Sequence, residues 1–276
     1  MIESTEEVTK PFLKWPGGKR WLAQTIADVL HRRLQGRYFE PFLGGGAVFF
    51  ALRPTLATLS DINADLVNTY RQVRDQPVQV LAHLKRIPVT AKQYYSVRTD
   101  NPSCKIKQAA QFLYLNRTAF GGIYRLNKKG QFNVPYGGGI RTPSPLWRDN
   151  LVTSSSQSLQ GVTLKISDFE PMLDRAVTGD AVYCDPTYTV AHENNGFVRY
   201  NEKNFSWADQ ERLAAAALRA YKRGALVIIS NAYHASIRKL YREFTARRFT
   251  RKSLVSASAN ARRTVHEYLL ILDPQE

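Results

Sequence analysis

The period of apolar and polar positions changes twice along the chain. Residues 36–62 read as a strand, a glycine turn, a short helix and a second strand, in the segments GRYFEPF, LGGG, AVFFAL and TLATLSD. Between about 64 and 115 the apolar residues recur at spacings of three and four, which predicts helices. Strand patterns return after 148 in LKISDF, AVYCDPTY, ALVIIS and RTVHEYLLILD. This order predicts an α/β fold interrupted by an inserted module.

The inserted module is predicted to occupy 64–148, within an α/β domain formed by 1–63 and 149–276. From 116 to 150 the chain is rich in Gly, Arg, Lys and aromatic residues, and two short strand-like runs flank the sequence NKKG. A turn sequence between two such runs predicts an exposed β-hairpin.

One helix after the module is well delimited by its sequence. Ser206 and Asp209 form a capping box ahead of ERLAAAALRAYKR, and Gly224 stands where a C-terminal cap is expected. We expect this helix, from about 207 to 223, to pack on the sheet through its apolar side. The positions expected to contact the sheet are Leu213, Ala217 and Leu218.

Composition narrows the classes of protein that remain. The chain of 276 residues carries 39 Lys and Arg against 23 Asp and Glu, a net charge of +16 that predicts a polyanionic partner. No apolar run approaches the ~20 residues that span a bilayer, and the acidic, polar start MIESTEEVTK is unlike a secretory signal, so we expect a cytoplasmic protein. The two cysteines, Cys104 and Cys184, show no disulfide framework and no metal-like spacing, so we expect no metal site.

A glycine turn follows the first strand in the sequence FEPFLGGG, and Asp61 ends the next strand. Glycines let the backbone approach a ligand closely, and an acid at the end of the second strand binds ribose hydroxyls in nucleotide-binding folds. The third glycine of the dinucleotide fingerprint is missing near Phe49, which favours a nucleoside ligand without phosphates. The alternative is a turn that only reverses the chain.

The segment WPGGK at 15–19 differs from a phosphate-binding loop. Leu13 stands where that motif needs its first glycine, and Arg20 replaces the required Ser or Thr, so a Walker-type ATPase is excluded. Taken alone, the segment is typical of an N-terminal loop that packs Trp15 on the core.

The sequence DPTY at 185–188 follows the strand-like run AVYC, so its side chains are expected at the carboxyl end of the sheet, where open α/β folds bind ligands. The carboxylate of Asp185 and the carbonyl of Pro186 can accept both hydrogens of an exocyclic amine, and the Tyr188 ring can stack on a base. The sequence thus predicts a pocket for a base that carries an amino group. An ordinary strand end with an Asp-Pro turn is the alternative, and Cys184 is expected to be a buried strand residue.

Five segments of the chain resemble the motifs of Dam-type DNA adenine-N6 methyltransferases, the D12 class of the alpha group. In order they are FLKWPGGK, FEPFLGGG, LSDIN, FLYLNR with GQFNVPYG, and VYCDPTY, and together they span nearly the whole chain. The resemblance implies a Rossmann-like sheet that binds S-adenosyl-L-methionine, with the inserted module reading double-stranded DNA. It also implies extrusion of the target adenine, methylation at N6 without a covalent enzyme intermediate, and GATC as the first choice of site.

The same resemblance implies roles for individual residues. Those implied to line the S-adenosyl-L-methionine site are Trp15, Pro16, Lys19, Glu40, Pro41, Phe42, Gly44, Asp61, Ile62, Asp168, Phe169 and Asp185. The implied catalytic residues are Asp185, Pro186 and Tyr188. Those implied to contact DNA are Lys14, Arg117, Phe120, Arg125, Lys128, Lys129, Asn133 and Arg141. Arg125 is expected to read a guanine and Phe120 to wedge into the base stack. For Asp168 and Phe169 the alternative is a strand end followed by a helix cap.

Two positions depart from the family pattern. Thr187 replaces the second proline of Asp-Pro-Pro-Tyr, which is expected to loosen the turn and to lower turnover without abolishing it. Gly139 replaces an expected aromatic residue, which leaves the recognition sequence open.

Several alternatives stay open at this point. They are methylation of cytosine at N4, a DNA-binding module that has lost catalysis, and a nicotinamide oxidoreductase. A basic group near the C-terminus is expected either to contact phosphates or to be solvated: Arg247, Arg248, Arg251, Lys252, Arg262 and Arg263. We expect a monomer that associates with the nucleoid.

Overall fold

The computed structural model describes residues 10–127, 130–139, 146–190, 205–252 and 264–275. The chain forms two compact units. The first comprises Met1–His31, Leu43–Thr55 and Asp61–Ile166. The second comprises Arg32–Phe42, Leu56–Ser60 and Ser167–Glu276. The first unit thus extends beyond the module predicted at 64–148, and the assignment of functions to the two predicted domains stays a prediction.

Seven strands in the described residues form one mixed sheet. They are β1 Tyr38–Glu40, β2 Ala57–Asp61, β3 Thr163–Ile166, β4 Ala181–Cys184, β5 Leu226–Ala232, β6 Thr245–Lys252 and β7 Thr264–Leu272. The strand order is β3-β2-β1-β4-β5-β7-β6. β1 pairs in parallel with β2 and β4, and β4 with β5, whereas β7 is antiparallel to both β5 and β6. The order of the first five strands is that of a doubly wound, Rossmann-like sheet, which confirms the predicted fold class.

The sequence pattern predicts every strand of this sheet except β6. Its sequence, TARRFTRK, contains four basic residues and lacks the alternation of a half-buried strand. β6 lies at the edge of the sheet, where it pairs with β7. Charged side chains are common on edge strands because they discourage pairing with a second molecule.

Ten helices of four or more residues occur in the described parts of the chain. They are α1 Ala23–His31, α2 Ala47–Leu52, α3 Ala64–Asp75, α4 Pro77–Lys85, α5 Ala91–Thr99, α6 Lys105–Thr118, α7 Asp149–Ser158, α8 Glu170–Leu173, α9 Trp207–Lys222 and α10 Ala235–Leu240. Among the described residues, none of the helices has both the length and the apolar run that crossing a bilayer requires.

Helix α9 covers one face of the sheet in the second unit, as its sequence predicts. Ser206 Oγ accepts from the backbone N–H of Asp209, and the Asp209 carboxylate accepts from the backbone N–H of Ser206, so the predicted capping box is confirmed. The predicted C-terminal glycine, Gly224, has a positive φ of 89°. Leu213 and Ala217 belong to the buried apolar core that includes strand residues of β4, β5 and β7, and Leu218 packs against it.

Candidate active site and DNA-contacting segment

The predicted catalytic residues follow β4 directly. All four residues of β4 are buried, and the chain leaves the sheet at Asp185, which is half-buried, and Pro186, which is buried. Because side chains alternate between the faces of a strand, Asp185 lies on the face of Tyr183, and Cys184 enters the apolar core on the opposite face. Burial raises the pKa of the Cys184 thiol well above its ordinary value, so this cysteine is the buried strand residue that was predicted.

Three carboxylates act on one buried tyrosine at this edge of the sheet. Burial raises the pKa of Tyr183 well above its ordinary value, and the negative charges of Asp185, Glu40 and Glu267 raise it further. Glu40 is buried at the end of β1 and accepts a hydrogen bond from the hydroxyl of Tyr38 at 2.8 Å. Like charges in a region with little solvent produce a negative potential, which favours a cationic ligand.

Tyr188 is anchored at its hydroxyl. The hydroxyl donates to Oε2 of Glu267 at 2.8 Å, and Glu267 is only 2% exposed on β7. Burial, together with the negative charges of Asp185 and Glu267, raises the pKa of Tyr188 well above its ordinary value, so the phenol stays protonated and donates. Glu267 was not among the predicted site residues, although a single acidic residue at the start of the apolar run EYLLIL was an available signal.

The predicted aromatic residues of the cofactor site meet one another in the second unit. Phe42 stacks on Phe169 with ring centroids 5.4 Å apart, and Phe205 packs edge-on to Phe42 at 5.5 Å. Asp168 Oδ1 accepts from the backbone N–H of Glu170 at 2.9 Å and from Arg212 Nη2 at 2.9 Å. Asp168 therefore holds the first residue of the helix Glu170–Leu173, although Phe169 is its N-cap residue, and the predicted contact of Asp168 with the cofactor stays a prediction.

The glycine turn is tied to the end of β2 within the first unit. Oδ2 of Asp61 accepts from the backbone N–H of Gly44 at 3.1 Å, and Oδ1 accepts from Asn63 at 3.0 Å. Asn63 also caps α3, since its side chain accepts from the N–H groups of Asp65 and Leu66. Burial raises the pKa of Asp61, although backbone hydrogen bonds oppose this shift. The turn and the predicted ribose-binding acid thus hold each other in place.

Trp15 packs closely on this turn. A Cβ added at Gly44 would lie 2.8 Å from Cδ1 and Nε1 of the indole, so only glycine fits beneath the ring. The indole also stacks on Tyr124, with centroids 5.6 Å apart and an interplanar angle of 20°. Trp15 therefore packs on the interior of the first unit, as expected of the segment taken alone, and its predicted contact with the cofactor stays a prediction.

The other residues implied for the cofactor differ in exposure. Lys19 is buried, and its Nζ donates to the carbonyl of Gly17 at 3.0 Å. Pro41 is also buried, whereas Pro16 is exposed and Ile62 is 67% exposed. Their contacts with a ligand stay predictions.

The predicted DNA contact of Arg117 is wrong for this conformation. Arg117 is 2% exposed at the end of α6, and its guanidinium donates to the carbonyl of Phe12. Burial and the nearby charges of Arg148 and Arg20 lower the pKa of Arg117 to about 10. A side chain enclosed in this way fastens α6 to the N-terminal segment and cannot reach a phosphate.

Other predicted DNA contacts lie on or near the segment between Ala119 and Tyr136, which we call the hairpin-like segment. Antiparallel bridges join Ala119 to Tyr136 and Leu126 to Phe132. Phe120, at its base, is 61% exposed, and its insertion into a base stack stays a prediction. The predicted contacts Lys128, Lys129 and Arg141 lie outside the described residues.

Two predicted contacts on this segment bind each other. Arg125 Nε donates to Oδ1 of Asn133 at 2.8 Å, and the backbone N–H of Asn133 donates to the carbonyl of Arg125 at 3.1 Å. Lys14 is exposed. Its backbone N–H donates to Oδ1 of Asn116 at 3.0 Å, and its carbonyl accepts from Nδ2 of Asn116 at 2.7 Å. These contacts orient Arg125 and fix the position of Lys14.

Most aromatic side chains of the segment pack against other aromatic rings of the protein. Tyr124 contacts Phe112 and Phe132 in addition to Trp15, and Tyr136 contacts Tyr94. Their abundance therefore stabilises the segment rather than providing a surface for nucleic acid. In the described part of the chain, no group of three or more His, Cys, Asp or Glu side chains is placed to hold a metal ion.

Comparison with known proteins identifies the family. The sequence profile of the D12 class N6 adenine-specific DNA methyltransferases matches residues 15–256. The chain belongs to this family. Two type II methyltransferases, M1.LlaDCHI of Lactococcus lactis subsp. cremoris and M.MjaIII of Methanocaldococcus jannaschii, are each 35% identical to it, over 98% and 96% of this chain and 98% and 99% of theirs. A DNA adenine methylase of Vibrio cholerae is 30% identical over 96% of both chains.

Membership in the D12 class favours adenine methylation over the other open alternatives. This D12-class protein is an adenine-specific DNA methyltransferase, so it uses a methyl donor and acts on DNA. A nicotinamide oxidoreductase is excluded. The family match includes the glycine turn, the hairpin-like segment and the DPTY sequence.

Proposed function

We propose that this methyltransferase transfers the methyl group of S-adenosyl-L-methionine to N6 of an adenine extruded from double-stranded DNA, within the sequence GATC. The proposal depends above all on the acidic edge of the sheet where Asp185 follows β4. A carboxylate with an adjacent carbonyl matches the two hydrogens of an exocyclic amine, and negative potential favours a sulfonium donor. Because the substrate is DNA, we place the enzyme in the cytoplasm, at the nucleoid.

The glycine turn fits a donor whose nucleoside carries no phosphate. The backbone N–H groups of Gly44 and Gly46 donate to Asp61 and to the carbonyl of Leu43, so they are used inside the turn and not offered to a phosphate. The carboxylate of Asp61 has several lone pairs and can accept ribose hydroxyls as well. When bound, S-adenosyl-L-methionine supplies a methyl group activated by its positive sulfur.

We assign further donor-binding roles to residues of each unit. Glu40 contributes negative charge, and the stacked rings of Phe42 and Phe169 offer an apolar surface to the adenine of the donor. The remaining residues of the proposed donor site are Trp15, Pro16, Lys19, Pro41, Ile62, Asp168 and Asp185.

Asp185, Pro186 and Tyr188 act on the target base. The Asp185 carboxylate and the Pro186 carbonyl accept the two N6 hydrogens, which localises the nitrogen lone pair for attack on the methyl group. The Tyr188 ring stacks on the extruded adenine and recovers part of the few kcal/mol lost in unpairing and unstacking. Positioning and electrostatics supply the rate enhancement, without a covalent enzyme intermediate.

The hairpin-like segment reads the DNA. Arg125 is held at Nε by Asn133, and its terminal nitrogens fork onto O6 and N7 of a guanine. The exposed Phe120 enters the base stack, and Lys14 reaches the other end of the site. Lys128, Lys129 and Arg141 contribute positive charge for phosphates.

Labelled methyl transfer to defined duplexes tests the proposed function. The enzyme is incubated with tritiated S-adenosyl-L-methionine and duplexes that contain GATC or a permuted sequence, and the DNA is digested to nucleosides. We expect N6-methyladenine from the GATC duplex alone. Label in N4-methylcytosine, or DNA binding without any transfer, would refute the proposal.

A conservative variant tests the role of Asp185. Asp185→Asn keeps the size of the side chain but replaces one acceptor oxygen with a donor, so the transfer rate is expected to fall by about 10²–10³-fold. The matched control is Asp174→Asn, which removes an exposed carboxylate paired with Arg219 in the same unit and should leave the rate unchanged. A rate for Asp185→Asn equal to that of the parent would show that the site is wrongly assigned.

A further inference from the structure

Each oxygen of the Glu267 carboxylate accepts a hydrogen bond from a described side chain. Oε2 accepts from the hydroxyl of Tyr188 at 2.8 Å, and Oε1 accepts from Nε of Arg251 at 2.8 Å. Glu267 is 2% exposed, and the side chain of Arg251 is 24% exposed. The three residues therefore form a chain of contacts from partly exposed Arg251, through buried Glu267, to the tyrosine of the DPTY sequence.

The sheet register explains how these residues meet. Glu267 on β7 lies opposite Ala232 of β5 and Phe249 of β6, in the interior of the antiparallel part of the sheet. Arg251 pairs with Val265, two residues before Glu267, so the arginine and the glutamate are diagonal neighbours on one face. The geometry of the ladder thus brings the guanidinium to the carboxylate without any contribution from a loop.

A buried carboxylate at position 267 lowers the stability of the fold unless its charge is compensated. Removing a charged group from water lowers stability unless it is paired and hydrogen-bonded, and an apolar residue would continue the EYLLIL pattern without that cost. Arg251 compensates the charge of Glu267, but compensation alone does not require a partner on the second oxygen. That partner is Tyr188, which our proposed function places against the target adenine.

We propose that Glu267 is a positioning residue for methyl transfer, which fixes the ring of Tyr188 for stacking on the extruded adenine. Arg251 donates to one oxygen of the Glu267 carboxylate, and the other oxygen of this charged group is a strong acceptor for the phenol. A ring held at its far end cannot rotate or slide freely, and small misplacements of a bound reactant lower rates steeply. This inference rests on the proposed stacking role of Tyr188 and extends it to a residue on another strand.

A double-mutant cycle in single-turnover methyl transfer tests the proposal. Tyr188→Phe retains the stacking ring and removes the hydroxyl, whereas Glu267→Gln retains the side-chain length and removes the charge. Each change is expected to lower the transfer rate about tenfold, because each weakens one charge-assisted hydrogen bond. The double variant should be no slower than the slower single variant, since Glu267 acts through the hydroxyl that Tyr188→Phe has already removed.

The Michaelis constants separate positioning from loss of structure. We expect KM for DNA to stay within about twofold of the parent value while the rate falls, because the ring and the phosphate contacts are retained. The matched control is Thr250→Val, which removes the hydrogen bond of 2.9 Å between Thr250 and His266 on the same ladder and should leave the rate unchanged.

Each outcome has a distinct meaning. Multiplication of the two single effects in the double variant would overturn the proposal, since Glu267 would then act independently of the Tyr188 hydroxyl. If Glu267→Gln does not fold, Tyr188→Phe decides alone, and a parental rate would overturn the proposal. Failure of the parent enzyme to methylate adenine would instead refute the proposed function, so the two failures are distinguishable.

Discussion

At the scale of single residues, the contact between Gly44 and Trp15 predicts how much stability an alanine at position 44 would cost. Gly44 has a φ of +45°, and a Cβ added there would lie 2.8 Å from the indole. Gly161→Ala is the matched control, because Gly161 has a φ of +73° and no described atom within 4 Å of an added Cβ. The control should lose about 1–2 kcal/mol of unfolding free energy from backbone strain, and Gly44→Ala roughly 1–3 kcal/mol more from steric conflict. Equal losses in urea denaturation would contradict the importance of the Trp15 contact.

Thr187 offers a second prediction at this scale. It is exposed between Pro186 and Tyr188, where the family pattern has proline. Thr187→Pro removes backbone freedom from the turn, so the transfer rate is expected to rise about two- to fivefold, in line with the 0.4–1 kcal/mol that such substitutions contribute. Thr187→Ala, which restores no ring, should react at the parental rate. A slower Thr187→Pro enzyme would show that the turn does not need this restriction.

Sequence position predicts which side chains stand at strand ends better than residue type predicts which are buried. Asp185 and Asp61 stand at strand ends, as their positions after apolar runs indicate. In the sequence, Arg117 looks like any other basic residue of the module, yet its side chain is buried. This burial is not predictable because its partner Phe12 is 105 positions away in the sequence. The sequence marks Glu267 as an acidic residue beside an apolar run but does not indicate its partner, since Tyr188 lies 79 positions away.

At the scale of elements, an ion-pair cluster joins α8 to α9. Arg212 and Arg219 of α9 contact Glu170 at 3.0 and 2.7 Å, and Arg219 also contacts Asp174 at 3.0 Å. Hydrogen bonds from Arg219 and Arg212 lower the pKa of Glu170. A carboxylate whose pKa is lower in the folded state stabilises the fold above its unfolded pKa of about 4.3, and this contribution disappears as the pH falls through the folded value.

Glu170→Gln should therefore change the pH dependence of stability. The parent is expected to be more stable than the variant at pH 7, with a difference that shrinks below about pH 4 as the carboxylate becomes protonated in both states. Guanidinium would screen the pairs, so the measurement is urea denaturation between pH 3 and pH 7. Because the cluster is partly exposed, 0.5 M NaCl should reduce the difference at pH 7. A difference that is constant over pH would exclude this origin.

Elements with local signals are predictable, and those that depend on distant pairing are not. The bounds of α9 follow from its own capping residues Ser206 and Asp209. The sequence of β7 predicts a strand because it is apolar over most of its length, as suits a strand that lies between β5 and β6. β6 exists because its backbone pairs with β7, and its basic residues carry no period that would indicate a strand.

At the scale of the whole molecule, the net charge of +16 predicts how affinity for DNA depends on salt. Each phosphate contact releases counterions, so the logarithm of the association constant should fall linearly with the logarithm of the salt concentration, with a slope of about −0.9 for each contact. Base contacts affect discrimination between sequences and contribute little to this slope. The two kinds of contact can therefore be separated in one titration.

Variants of basic residues between Ala119 and Tyr136 should change either the salt slope or the discrimination between sequences. Replacing Lys128 and Lys129 with Gln is expected to reduce the magnitude of the slope by about two and to weaken binding to GATC and permuted duplexes alike. Arg125→Gln should leave the slope nearly unchanged and cost about 1–3 kcal/mol of discrimination at one base pair. Fluorescence anisotropy with labelled duplexes from 50 to 300 mM NaCl measures both quantities. If Arg125→Gln instead lowered the slope and preserved discrimination, this arginine would be a phosphate contact, and the guanine would have to be read by another side chain.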